Sequence, residues 1–316
     1  MPLKTSQPQF VPRRELGRTR FKATLLGIGD LADRAVSLKD CVGTVHRAMD
    51  AGLNVIDTAP GYEDGYSEQI VGKALKGRRD GMFVIDKIDR FPAKVAPQVE
   101  ASLKRLKMDH VDLFVFHGLS KEAHWAWAVG PGGGMEQLAR YVEKGQVRFR
   151  GISSHNPVVL IEAIKSGLCD VVMFPAGPFG DKRYVEEVLP LARQRKVGTV
   201  CFKVFGAGKL LGDTSGYGKP LQVRLPGKSD SGVPVASTRP LLPHLSVFDC
   251  LSYTLTCDPD VALLGLSCPG EQDVAFEAAR NFVALTGGQM ADIHRRALRA
   301  FKNKGPCWWD PPGFKI

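Results

Sequence analysis

Short apolar runs recur along the chain. Each is followed by a longer stretch in which apolar residues return every three or four positions. The first kind has the length and period of a buried strand, the second that of an amphipathic helix. Strands are predicted over 24–29, 55–57, 82–86, 111–116, 149–154, 171–174, 198–203 and 261–265. Helices are predicted over 37–53, where Val42, Val45, Met49 and Leu53 share a face, and over 67–75, 95–106, 135–144, 156–166, 185–195, 245–256, 272–285 and 290–303. Two stretches show no period. Residues 118–134 hold His124, Trp125, Trp127 and the run Gly130-Pro-Gly-Gly-Gly134, and read as a binding loop or lid. Residues 212–242, rich in Gly, Pro and Ser, read as a long surface loop.

Eight strand–helix alternations predict an α/β fold closed into a (β/α)8 TIM barrel. The barrel forms a single domain over 23–316, with long loops and a C-terminal helix and tail, after an N-terminal arm and entry segment over 1–22. The rival is a doubly wound open sheet. Its Gly-x-Gly-x-x-Gly turn is incomplete here, since the first strand offers only Gly27 and Gly29.

Composition narrows the class. The 316 residues are 44% hydrophobic and 24% charged, with no apolar run long enough to span a bilayer. The net charge of +10 is spread along the chain, so Arg13, Arg14, Arg18 and Arg20 read as a solvated face or arm rather than a nucleic-acid site. A basic surface favours an anionic small ligand. Seven scattered cysteines without a C-x-x-C pair point to reduced thiols and a cytoplasmic setting. No His/Cys/Asp cluster has metal-ligand spacing, and the N-terminus lacks a secretory signature. The pattern fixes no oligomeric state.

The chemistry concentrates at strand ends. The second, third and fourth strands close on Asp57, Lys87 and His117, each thirty positions from the last. Tyr62 lies on the loop just past the first of these. In a barrel these ends share one mouth. Alone, each residue has a structural explanation: a cap, an ion-pair partner, a core histidine, a loop anchor. Together they make a proton-delivery site. Asp57 pairs with Lys87, the ammonium lowers the phenol's pKa from near ~10, Tyr62 gives a proton to a carbonyl oxygen, and His117 orients that oxygen. A hydride then has to come from a cofactor, because no side chain supplies one.

The segments Asp57-x-Ala-x-x-Tyr62, Gly65-x-Ser-Glu68, Lys87 and Val111-Asp-Leu-x-x-x-His117 resemble, in order and spacing, the catalytic tetrad of the aldo-keto reductase superfamily. Leu16-Gly-Arg-Thr19 and Gly145-Gln-Val-Arg-x-x-Gly-Ile-Ser153 are similar to its flanking segments, so the resemblance runs from about 14 to 285. It implies a barrel that binds an extended nicotinamide cofactor, NADP (NADPH) ahead of NAD, and a small-molecule carbonyl substrate. It also implies cofactor contacts at Ser153, Ser154 and Ser267, and Gly206-Ala-Gly-Lys209 reads as a phosphate cradle.

The cofactor side departs from the family pattern. Ser154 stands where the family has asparagine, and Met173 and Ala176 stand where it has glutamine and a stacking tyrosine, leaving Phe174 or Phe179 as candidates to cover the ring. No Arg or Lys adjoins Ser267. These departures motivate a second reading, a cofactor-sensing or regulatory barrel with little turnover. A third reading is a lyase or isomerase using the same acid–base groups without nicotinamide.

Overall fold

The structure is a computed structural model that describes residues 9–211, 243–265 and 268–302. The expected loop over 212–242, Ser267, and the tail with Trp308 and Trp309 lie outside the described residues. Ten strands are described: β1 (Arg14–Glu15), β2 (Lys22–Ala23), β3 (Leu26–Ile28), β4 (Val55–Asp57), β5 (Phe83–Ile88), β6 (Val111–Phe116), β7 (Val147–Ser153), β8 (Val171–Pro175), β9 (Gly198–Phe202) and β10 (Val261–Leu264). The last eight pair in parallel and in sequence order, and β10 closes on β3. The barrel predicted from the alternation is therefore the fold.

Period-two alternation sorts each strand's side chains. Val55, Phe83, Ile85, Leu113, Val115, Val171, Met173, Val200 and Val261 point inward and fill the barrel. Their neighbours Ile56, Val84, Phe114, Val172 and Cys201 pack outward in the larger core beneath the helices.

The helices follow the capping chemistry. In α1 (Leu38–Asp50) the Ser37 side chain accepts from the Asp40 amide. Next come α2 (Tyr66–Ala74), α3 (Ala96–Leu106), α4 (Glu122–Val129) and α5 (Gly134–Glu143). In α6 (Pro157–Ser166) Asn156 caps the start and a left-handed Gly167 ends it, as the sequence predicts. The series finishes with α7 (Leu189–Gln194), α8 (Val247–Thr256), α9 (Pro269–Arg280) and α10 (Gly287–Phe301). None is long and apolar enough to cross a membrane.

Two expectations are corrected. The Trp-rich stretch after His117 is a helix, α4, rather than a loop. Its Ala, Trp and Val residues are apolar on every side, so no polar–apolar period betrays it. The single helix predicted over 185–195 is instead a π-helical turn, Tyr184–Val188, running into α7. Pro190 has no N–H and would crowd the carbonyl four residues back, and the wider turn relieves both.

The entry segment forms a hairpin over 14–23. β1 pairs antiparallel with β2, and fully buried Leu16 plugs the lower end of the barrel interior. Gly17, at φ 49°, presses on the start of β9, where a Cβ would come within 2.1 Å of the Gly198 nitrogen. The basic residues read as solvated are partly engaged. Arg13 and Arg14 ion-pair with Asp258, and an Arg18 guanidinium nitrogen donates to the Arg195 carbonyl.

Candidate active site

The three charged strand ends lie on neighbouring strands, and the register explains how they meet. Asp57 on β4 pairs with Ile85, two residues before Lys87. Lys87 on β5 pairs with Val115, two residues before His117. A step of two keeps the inward face, so the three side chains climb a diagonal across the inside of the mouth.

Lys87 donates to both carboxylate oxygens of Asp57, each at 2.7 Å, and to the Thr58 carbonyl at 2.7 Å. Both side chains are 3% exposed. Burial alone pulls the ammonium's pKa down, but Asp57 and Tyr62 more than offset this and hold Lys87 above its ordinary value. Burial pushes Asp57 up, against the pull of Lys87.

Tyr62 sits on the turn between β4 and α2. Its ring centroid is 4.5 Å from the Lys87 ammonium nitrogen and 5.5 Å from the His117 ring, edge to face at 87°. The four predicted residues thus converge. The expected lowering of the phenol's pKa is corrected: burial pushes Tyr62 above its ordinary value, and Lys87 offsets only part of that. Such a phenol keeps its proton until a substrate oxygen calls for it.

Two carboxyls that the sequence reading passed over complete the rim. Asp89, just past β5, takes the Nδ1 of His117 at 2.6 Å on one oxygen and accepts the Gly61 amide at 2.6 Å on the other. Burial would raise it, but the bond to His117, the charge there and the Gly61 amide hold it below the usual carboxylate range. A strand read to Asp86 hides it, whereas β5 runs to Ile88 and puts Asp89 on the same side as Lys87. Asp30 follows β3, accepts the Ala32 amide at 2.9 Å, and is pushed up to about 6 by burial.

The cofactor candidates are placed unevenly. Ser153 ends β7 on the inner face, and its hydroxyl accepts the Gly118 amide at 2.8 Å, which fixes the chain just after His117. Ser154 is fully buried and accepts the Asn156 amide at 3.0 Å, a role in the turn into α6. Gly206 opens a 3-10 turn after β9, packed beneath the Phe301 ring. The amides of Gly206, Gly208 and Lys209 donate to carbonyls within that turn, at 2.8, 2.9 and 3.1 Å. Little amide cradle remains there, and any phosphate contact falls to side-chain charge. Lys209 itself is buried.

Phe174 cannot cover a ring in the mouth. It points outward, opposite to Met173, and stacks on Tyr184 at 5.7 Å. Phe179 stacks on Phe301 at 3.8 Å. Trp127 packs against Phe91 and Phe116, behind β6, and Trp125 is buried in α4. His155 lies edge to face with Phe202 at 5.4 Å, and burial lowers its pKa to about 3, so it is neutral near pH 7.

The motif acids outside the tetrad are structural. Glu68 is fully buried and ion-paired with Arg105. Asp112, also buried, bridges Arg79 at 2.5 Å and Arg148 at 3.0 Å and accepts the Val84 amide at 2.8 Å.

This arrangement has relatives. The chain is 29% identical over 216 residues to aldo-keto reductase YhdN of Bacillus subtilis, a match covering 61% of this chain and 62% of that one. It is 30% identical over 141 residues to methylglyoxal reductase YeaE of Escherichia coli, covering 44% and 47%. The match thus spans less than two thirds of the length of these curated relatives. Among solved structures, the holo form of an aldo-keto reductase from Bacillus halodurans superposes with a TM-score of 0.65 at 25% identity, covering 92% of this chain and 96% of that one. An aldo-keto reductase from Klebsiella pneumoniae in complex with NADPH gives 0.66 at 19% identity, covering 97% and 98%, a likeness of fold. A family model described as the aldo/keto reductase family matches residues 25–228. With about two thirds of its length under that match, on a barrel closed in the same way, this chain belongs to the aldo/keto reductase family.

Proposed function

We propose that the protein is a nicotinamide-dependent oxidoreductase that reduces an aldehyde or ketone to an alcohol, with Tyr62 as general acid, Lys87 and Asp57 tuning it and His117 orienting the substrate oxygen. The observation that carries this reading is the arrangement at the mouth: an ammonium nitrogen over the Tyr62 ring, 4.5 Å from its centroid, and the His117 ring at right angles to it with the centroids 5.5 Å apart. As negative charge grows on a carbonyl oxygen beside the phenol, Lys87 stabilises the phenolate left behind. General acid help of this kind contributes roughly 10²–10⁴-fold.

The residue types on the rim fit a nicotinamide dinucleotide. Ser153 offers an inward hydroxyl beside His117 for a carboxamide, and half-buried Lys203 at the end of β9 offers positive charge for a phosphate. When bound in reduced form, that cofactor supplies a hydride to the carbonyl carbon. The phosphorylated form is favoured by the basic surface and by the relative bound to NADPH. The decisive variant is Tyr62→Phe. It should bind NADPH as the parent does, by fluorescence titration, and lose turnover of small aldehydes by at least ~10²-fold. Reduction at the parental rate would sink the assignment.

One observation favours the second reading, a cofactor-binding regulatory barrel: the Ser154 hydroxyl is committed to the turn into α6. Tight NADPH binding with no turnover across a panel of aldehydes and ketones would support it. Activity without any nicotinamide would favour a lyase or isomerase.

A further inference from the structure

Asp89 touches both halves of the proton-delivery apparatus. It stands two positions beyond Lys87 and is half-shielded, with 23% of its side chain exposed. One carboxylate oxygen meets the His117 Nδ1 at 2.6 Å. The other accepts the amide of Gly61, the residue next to Tyr62, at 2.6 Å. The approach is close enough that a Cβ at position 61 would fall 2.7 Å from that oxygen. The glycine before Tyr62 therefore has a local reason.

We propose that Asp89 is a positioning residue that fixes His117 as the Nδ1–H tautomer and locks the imidazole to the Tyr62 turn. A carboxylate has no proton to give, so the nitrogen facing it must carry the hydrogen. In the neutral ring Nε2 is then only an acceptor, open to a hydroxyl. It is the imidazolium beside Asp89, with a hydrogen on each nitrogen, that donates from Nε2 to a carbonyl oxygen. Because the same carboxylate holds Gly61, any shift of the histidine is felt by the loop bearing the phenol. The kinetic side of this inference rests on the reductase reading. The tautomer does not.

Asp89→Asn tests it with little change in shape. An amide has a single acceptor oxygen and cannot take both N–H groups. If that oxygen stays on Gly61, the amide nitrogen faces Nδ1 and donates to it, which forces the proton to Nε2. Long-range 1H–15N correlation spectra of the uniformly labelled protein, at a pH where His117 is neutral, read the protonated nitrogen directly and need no substrate. The expected result is Nδ1–H in the parent and Nε2–H in Asp89→Asn, with kcat/KM for a test aldehyde falling roughly 10-fold, the difference between a charged and a neutral donor to the carbonyl oxygen, and NADPH affinity unchanged. A parent spectrum showing Nε2–H with a bare Nδ1 overturns the proposal, and that measurement does not depend on the variant folding. An unchanged tautomer in a folded Asp89→Asn also overturns it. If the parent reduces no carbonyl but shows the expected tautomer switch, the reductase reading fails and the positioning role stands.

Discussion

The two ends of this barrel are built from the same materials to opposite purposes. At the lower end arginines hold the carboxylates in place: buried Asp112 takes Arg79 and Arg148, and half-exposed Asp258 takes Arg13, Arg14 and Arg193. Arginine is charged at any pH the protein meets, and its fork binds carboxylates in fixed geometry. Leu16 seals the space between. At the mouth the partners are lysine, histidine and tyrosine, whose protons move. There the carboxyls Asp30 and Asp57 stand above their usual range and Asp89 below it. One end sets its carboxylates against permanent charge, the other against groups that can exchange protons. That is the division expected of a barrel whose chemistry sits where the strands finish.

Substitution should separate the two ends. The largest effect is expected at the mouth. Lys87→Met leaves Asp57 buried without its cation and should lower stability by about 3–5 kcal/mol. It should also abolish measurable carbonyl reduction, and adding Asp57→Asn should recover stability but not turnover. Urea unfolding and steady-state rates check both, and a fully active Lys87→Met breaks the comparison. At the lower end, Leu16→Ala should cost about 2–4 kcal/mol by cavity formation while leaving kcat and KM unchanged in the folded fraction. A changed KM would mean that the plug communicates with the mouth.

The smallest effect sharpens the contrast through pH. Folded Asp30 holds its proton to about pH 6, whereas the unfolded carboxyl releases it near the ordinary aspartate value of about 3.9. Between these values the folded chain binds more protons, so stability falls as pH rises and levels off above pH 6. Asp30→Asn removes that loss. Its advantage over the parent should be near zero at pH 4 and about 1–3 kcal/mol at pH 7. An advantage of equal size at both values would show that Asp30 does not titrate as described.

The barrel was legible because two periods suffice to read it. Strand alternation and the thirty-residue spacing of Asp57, Lys87 and His117 bring three side chains to one mouth, and the strand register then sets them on an inner diagonal. What failed to show were quantities that depend on depth and on exact strand ends. The phenol of Tyr62 was expected to be acidified by its neighbour, but the sum of burial against charge is invisible in a string of letters. Asp89 was lost to a strand end misplaced by two residues. Parity could have excluded Phe174, since Met173 beside it faces in. α4 was missed because a helix apolar on every side has no stripe. The cofactor rim was the least legible part, because Ser154 and the Gly206 turn owe their roles to hydrogen bonds that close only in three dimensions.

The three bonds of Lys87 carry one more consequence. An amine that attacks a carbonyl must first shed a proton and turn its lone pair outward. With every N–H engaged and its basicity increased by Asp57, Lys87 can do neither near neutral pH. The lysine at the heart of this barrel is a fixed charge rather than a nucleophile, and borohydride added with a carbonyl compound should leave it without a covalent adduct.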